Sequence, residues 1–265
     1  VGRNLASETY RKYEQLFRQL EAFARDKGLR FVDQLDLHVL TAFRSTWKDA
    51  PLSASRKLTR LRAVLGFGLR RKWIRENPAS DLPMPRIKYA PTLPFDEDEM
   101  KRILEAATKP RDRAFVLVMR HAGLRLSDAA TLSRASVDGS RIRLYQAKTG
   151  EPVFVPVPSE VVQALAALPC KGEFYFQTGH AKVQSSASVW RKRLAAVFRK
   201  ANVEDGHSHR FRDTFACVLL SKGVSLESVS RLLGHSSVRV TEQHYAPWVR
   251  SRQDALEAEV LAALR

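Results

Sequence analysis

Pro83, Pro85, Pro91 and Pro94 fall within 12 residues in a chain of 265. A stretch that dense in proline cannot continue a helix, because each ring fixes φ and removes an amide donor, and it favours an extended connector. The alternative is a loop inside one domain. Both flanks carry apolar patterns of their own, so we expect a linker over 83–94 between a domain at 1–82 and a second at 95–265.

Charge is the next constraint. Lys and Arg number 45 against 28 Asp and Glu, a net of +17. A balance that basic points to a polyanionic partner, either nucleic acid or an anionic membrane surface. Residues 1–90 hold 19 cations and 9 acids, so the first third carries more than half of the excess. No apolar run approaches the roughly 18–20 residues of a membrane span. No leader is legible at the N-terminus, and the expected location is the cytoplasm, on the nucleoid. Cys170 and Cys217 are too few for a disulfide framework or a four-cysteine zinc site and read as reduced thiols.

The first domain reads as all-helical. Ser7 can cap a helix with apolar positions at Tyr10, Tyr13, Phe17, Leu20 and Ala24, ended by Gly28. A second helix is expected from about Asp36 to Trp47. A third, capped by Ser53, would bury Leu58, Leu61, Leu65 and Leu69. It also carries Arg56, Lys57, Arg60, Arg62, Arg70, Arg71 and Lys72, seven cations and no acid in 17 residues. Solvated helix faces normally mix signs, because like charges repel at i,i+4. A phosphate backbone relieves that repulsion, so these seven are candidate DNA or RNA contacts, with a solvated face as the alternative.

The second domain mixes elements. Asp96 and Glu99 form a capping box, and an apolar helix over 111–122 ends at Gly123. Alternating Val137, Ile142, Leu144, Val153, Val155 and Val157, with turns at Asp138-Gly139 and Thr149-Gly150, give a small antiparallel sheet. Helices are expected near 159–168, 186–201, 210–222, 225–233 and 238–246, then a short amphipathic tail over 251–265 with Leu256, Val260 and Leu264 on one face. The fold class is therefore mostly α with a small antiparallel β-sheet.

Four polar stations recur in this domain. Gly123-Leu124-Arg125-Leu126-Ser127-Asp128 places Arg125 on a turn between helices. Lys148 sits at a hairpin tip. His209-Arg210-Phe211-Arg212 puts His209 and Arg212 on one face of a helix start. Leu233-Gly234-His235 is followed by Tyr245, ten residues after the histidine. Each has a dull explanation alone: Arg125 can pair with Asp128, Lys148 is a common turn residue, His209 can cap a helix, and Tyr245 can be a core aromatic.

As an ordered set they resemble the tyrosine recombinases, the phage-integrase family of site-specific DNA recombinases. The resemblance covers most of the chain. It implies that 1–82 is a SAM-like helical core-binding domain and 95–265 an α+β catalytic domain. It implies Arg125 and Arg212 as phosphate-clamping arginines, Lys148 as the hairpin lysine, and His209 and His235 as the two histidines. Tyr245 matches the nucleophile and Asp128 a supporting acid. Many members carry a histidine right after the second arginine; this chain has Asp213. The resemblance further implies double-stranded DNA as partner, a homo-tetramer on synapsed DNA, and a monomer or weak dimer when free. It leaves room for an arm-binding domain ahead of Val1, and for the tail to dock either on its own domain or on a neighbour.

The residue types suit the chemistry. Two guanidiniums can neutralise a phosphodiester as charge builds in a five-coordinate transition state. A phenol, about 0.1% ionised at neutral pH, is expected to have its pKa lowered by such a pocket. Lysine can protonate the leaving 5′-oxygen, and the histidines are expected to titrate near working pH. No metal or other cofactor is expected, since carboxylates are not clustered and no nucleotide-binding loop occurs. Three rivals remain: a type IB topoisomerase, a catalytically inactive DNA-binding regulator, and a metal hydrolase using His207, His209, His235 and His244.

Overall fold

A computed structural model describes residues 7–87, 93–170, 172–177 and 183–264. The Ser7 and Leu256 side chains and Pro91 lie outside the described set. The chain divides into two compact units, 1–90 and 91–265.

The first unit is helical. Helix α1 spans Ser7–Asp26, α2 Leu37–Ser45 and α3 Pro51–Arg70. Asp36 caps α2 by accepting the Val39 amide at 2.7 Å. The buried face of α1 runs through Leu16 (3% exposed) and Leu20, whereas Tyr10 is 63% and Phe17 46% exposed. The expected stripe is thus rotated: aliphatic Leu16 takes the core position assigned to the aromatics. Helix α3 starts earlier than expected, with Ala50 at the N-cap and Pro51 in the first turn, where a missing N–H costs nothing. Leu58, Leu61 and Leu65 pack with Leu40, Phe43, Ile74 and Leu82. Leu69 is exposed instead, and the backbone of Gly68 lies under the Ile74 side chain.

The second unit begins with α4, Glu97–Ala106, closed by the reciprocal Asp96–Glu99 box. Helix α5, Pro110–Ala122, is buried nearly all round from Ala114 to Met119 and forms the centre of the core. After α6, Leu126–Ala130, three antiparallel strands follow in order: β1 Val137–Asp138, β2 Arg141–Tyr145 and β3 Pro152–Pro156. Ile142 pairs with Val155 and Leu144 with Val153, which sets one apolar face against the helices. Helices α7 (Ser159–Ala166), α8 (Val183–Lys200), α9 (Ser208–Ser221) and α10 (Leu226–Leu233) cover the rest. Trp190 of α8 stacks on Phe115 at 3.8 Å and donates its indole N–H to the Phe176 carbonyl at 3.0 Å.

Two expectations change here. Helix α11 is continuous from Val238 to Ala263, so the break expected after 246 is absent and the tail belongs to the helix that carries Tyr245. Pro247 removes one ladder hydrogen bond without ending it. At the other end, Arg210 donates to the Leu93 and Pro94 carbonyls at 3.0 and 3.1 Å, pairs with Glu99 at 2.7 Å, and lies over the Phe95 ring. Residues 93 and 94, read as linker, are therefore tied into the second unit.

Candidate active site

Three segment ends meet around one backbone oxygen. Helix α5 stops at Gly123, which adopts φ +58°; a Cβ there would collide with the Phe215 ring. Helix α10 stops at Gly234 with φ +60°, where a Cβ would strike the Gln146 amide and Val153. The third end is the base of the β2–β3 hairpin. Arg212, 2% exposed on α9, spans the first two, with Nη1 donating to the Gly123 carbonyl at 2.9 Å and Nη2 to the Leu233 carbonyl at 2.6 Å. Gln146 joins the third by donating Nε2 to the same Leu233 carbonyl at 2.7 Å. Its Oε1 accepts from Arg125 Nη1 and from the Thr149 hydroxyl.

The two arginines are close enough to repel. Burial first, and the Arg125 charge second, pull the Arg212 guanidinium down to about 10. It remains protonated at neutral pH. Both arginines are held by neutral carbonyl and amide oxygens, and among the described residues neither forms an ion pair with a carboxylate, although Asp128 and Asp213 lie near enough to favour the Arg212 charge. Arg125 does not pair directly with Asp128. Asp128 instead accepts the Ala147 amide at 3.1 Å, anchoring the hairpin, while its Oδ2 is buried with no partner among the described residues. Burial raises that carboxyl; the Ala147 amide and the two arginines oppose the rise.

His235 follows Gly234 and shares a hydrogen bond through Nδ1 with the buried Thr241 hydroxyl at 2.7 Å. Burial and the two arginines push it down to about 3, so it is neutral at working pH. That corrects the expectation of an imidazole titrating near neutrality. Tyr245 is 4% exposed, and its hydroxyl donates to Asp213 Oδ1 at 2.7 Å. The expected lowering of the phenol pKa is also reversed. Burial and the Asp213 carboxylate push it upward, and the pull of Arg212 does not prevail. His209 lies in the first turn of α9, its Nε2 3.9 Å from Asp213 Oδ1. Its side chain keeps an exposed edge, but burial of the rest lowers its pKa against the pull of Asp213, which also departs from the expectation of titration near working pH. Lys148 is exposed at the hairpin tip and makes no hydrogen bond or ion pair with the described residues.

The structure thus brings Arg125, Asp128, Arg212, His235 and Tyr245 into one cluster around Arg212, with His209 beside it and Lys148 apart. Sequence reading missed two participants. Gln146 continues the inward set of β2 after Ile142 and Leu144, and a polar residue on a core-facing register is the signal that could have found it. Asp213 was noticed only as a departure.

The basic set in the first unit divides. Arg62 donates to the Ala79, Ser80 and Leu82 carbonyls at 2.7–3.0 Å and is a structural staple. Lys57 pairs with Asp49 at 2.9 Å and lies over the Trp47 ring, so an acid from outside the helix answers it. Arg71 caps α3 and Lys72 lies beyond it at φ +62°, so neither is inside the helix as expected. Arg56 and Arg60 line a cleft of about 200 Å³ with Lys12 and Gln19. Arg56, Arg70, Arg71 and Lys72 are exposed.

Residues 94–249 match the model of the phage integrase family. The chain belongs to the phage integrase family. This integrase-family protein is 29% identical over 272 residues to tyrosine recombinase XerC of Shewanella sp. (strain W3-18-1), a match covering 89% of the chain and 87% of the relative. Its fold is similar to that of residues 75–356 of lambda integrase in a dimer bound to a COC′ core site, with a TM-score of 0.75 and 18% identity over 92% of this chain and 90% of that one. A lambda integrase tetramer bound to a Holliday junction matches at a TM-score of 0.72 and 17% identity, over 88% and 73% of the two chains. The protein is a tyrosine recombinase, acting in site-specific DNA recombination. The topoisomerase and inactive-regulator readings gain no support. Among the described residues no three His, Cys, Asp or Glu side chains group as a metal site, and no helix is long and apolar enough to cross a membrane.

Proposed function

We propose that the recombinase cuts and rejoins DNA through a 3′-phosphotyrosine at Tyr245, without metal or ATP. What supports this reading is the meeting of Arg212, held by two backbone carbonyls, and Arg125, held by the Gln146 amide oxygen, with a buried tyrosine, from segments far apart in sequence. Arg125 and Arg212 would clamp the non-bridging oxygens of the scissile phosphate. His209 and His235 would offer hydrogen bonds; His235, being neutral, donates from one nitrogen only. Lys148, exposed at a hairpin tip, would reach in when DNA is bound and protonate the leaving 5′-oxygen. Asp128 would set the hairpin's base. The covalent bond conserves the energy of the broken phosphodiester, which removes the need for a nucleotide.

On this reading the second unit is the catalytic domain and the first the core-binding domain, on double-stranded DNA in the cytoplasmic nucleoid. A tetramer on paired sites is supported by the exposure of Val260 and Leu264 on the C-terminal helix, an apolar pair that a neighbouring protomer would cover. Incubation with nicked duplexes carrying the target site, in EDTA and without nucleotide, should yield a detergent-stable protein–DNA adduct. Its absence on every duplex recovered from the wild-type protein would reject the reading.

Backbone contact by the first unit predicts a steep salt dependence. If six to ten phosphates are engaged, affinity should fall by about 10³ or more between 50 and 200 mM salt. Arg56→Ala and Arg60→Ala should each reduce the log–log slope by about one. Arg62→Ala should instead lower the melting temperature, because it unties residues 79–82. Equal salt slopes for all three variants and wild type would remove Arg56 and Arg60 from the interface.

A further inference from the structure

We propose that Asp213 is the general base of strand cleavage, taking the hydroxyl proton of Tyr245 as the phenol oxygen attacks phosphorus. The inference rests on Tyr245 being the nucleophile. Its physical basis is the way Asp213 is held. Asp213 is buried on α9, one residue past Arg212, yet no arginine or backbone amide among the described residues ties its carboxylate. Its Oδ1 accepts the Tyr245 hydroxyl at 2.7 Å, and its Oδ2 is buried with no hydrogen-bond partner among the described residues. Asp128 also has an unpartnered Oδ2 among the described residues, but its other oxygen accepts a backbone amide and anchors the hairpin. Asp213 differs in that its one hydrogen bond among the described residues goes to the hydroxyl that reacts, with Oδ1 placed to receive the proton.

The hydrogen-bond geometry is already that of a base and its acid, at a heavy-atom distance inside the range for transfer. Before substrate binds, the proton stays on the phenol, since burial and the carboxylate both disfavour a phenolate. The balance shifts as the phosphorus–oxygen bond forms. The phenolic oxygen donates its electrons to phosphorus, its O–H bond breaks, and the proton passes to the Asp213 carboxylate. The phosphorus–O5′ bond breaks, and the 5′-oxygen leaves with a proton from Lys148. Rejoining runs in reverse, with Asp213 returning the proton to the tyrosine oxygen. The charged and titratable groups around the pair are Arg212 and Cys217 on α9, His209 with its Nε2 3.9 Å from Oδ1, His207 at the N-cap of α9, and His244 on α11. Burial, with Arg212 and the neighbouring histidines, lowers the His209 pKa against the pull of Asp213, so a neutral imidazole stands beside the carboxylate and leaves it free to take the phenol proton.

The test is the pH profile of single-turnover adduct formation on a nicked substrate at saturating protein. Asp213→Asn keeps the size of the side chain and an oxygen acceptor for the phenol, but cannot take the proton. It should slow cleavage about 10²-fold or more at pH 7. Its rate should then climb about tenfold per pH unit as hydroxide replaces the missing base, while wild type stays flat over the same range. A purely structural role would lower the rate by one factor at every pH. Asp213→Asn profiles parallel to wild type, or rates within threefold of it or above, would overturn the proposal. Asp213→Glu covers the case of an Asn variant that does not fold: its profile should stay flat whatever its absolute rate, and a hydroxide-dependent profile would overturn the base role. Tyr245→Phe run in parallel separates the two readings. An adduct in that variant ends the nucleophile assignment itself, whereas its loss beside a parallel Asn profile ends only the role of Asp213.

Discussion

Tyr245→Phe should abolish the covalent protein–DNA adduct while leaving DNA affinity within about twofold of wild type. The substitution removes one oxygen from a side chain that is 4% exposed, so the ring keeps its place in the core. Lost with it is the donor to Asp213 at 2.7 Å, leaving a buried carboxylate with neither oxygen hydrogen-bonded among the described residues. Such an orphan costs about 1–3 kcal/mol, which should appear as a melting temperature lower by several degrees. The variant must therefore be assayed well below its midpoint. The neighbours His244 and Ala246 carry no hydroxyl, and the Thr241 hydroxyl one turn back is bonded to His235. Full loss of adduct in a folded, DNA-binding variant is the expected result, measured by a detergent-stable gel shift on a nicked duplex. A surviving adduct would move the nucleophile elsewhere.

The second large effect belongs to Arg212. Its guanidinium does two jobs, bracing the ends of α5 and α10 through the Gly123 and Leu233 carbonyls and bringing charge to the pocket. Alanine removes both, and the Gly123 carbonyl is left without that donor, so part of any loss would be structural. Lysine separates them. One ammonium keeps the charge but cannot reproduce the planar fork that spans the two carbonyls. Arg212→Lys should retain the fold and cut single-turnover cleavage by about 10²–10³, the range for removal of one preorganised stabilising group. Arg212→Ala should fall further and melt lower. Cleavage within tenfold of wild type for the lysine variant would take Arg212 out of the site. Burial already brings the guanidinium down to about 10, and the same burial would make a lysine there lose its proton more readily as pH rises. The comparison is therefore best made at pH 7 and below, where both side chains hold more of their charge.

What was legible in the sequence was local. Gly123, Gly234 and the Asp96–Glu99 box act within a turn or two of themselves, so their neighbours in sequence reveal them. Strand alternation marked the sheet for the same reason. Contacts between distant segments were not legible. The meeting of Tyr245 with Asp213, and of Gln146 with the Leu233 carbonyl, depends on how α9, α10, α11 and the hairpin pack. Tertiary contact also decides the electrostatics. The type of residue at 235 suggests an imidazole titrating near neutrality, but burial and two arginines beside it reverse that. Counting cations on α3 does not reveal that Lys57 and Arg62 have intramolecular partners in Asp49 and in residues 79–82, beyond any helical window.

Arg210 has a practical consequence for dissecting the molecule. A fragment cut to start at Phe95, where the proline-rich stretch ends on paper, would discard the two carbonyls that Arg210 uses at Leu93 and Pro94. It would leave a largely buried cation with Glu99 and the Phe95 ring as partners but without two of its hydrogen bonds, two residues from Arg212 on the same helix. A fragment meant to preserve the second unit should therefore begin at or before Leu93, and a truncation set that ignores those two residues would mistake a damaged helix start for a missing function.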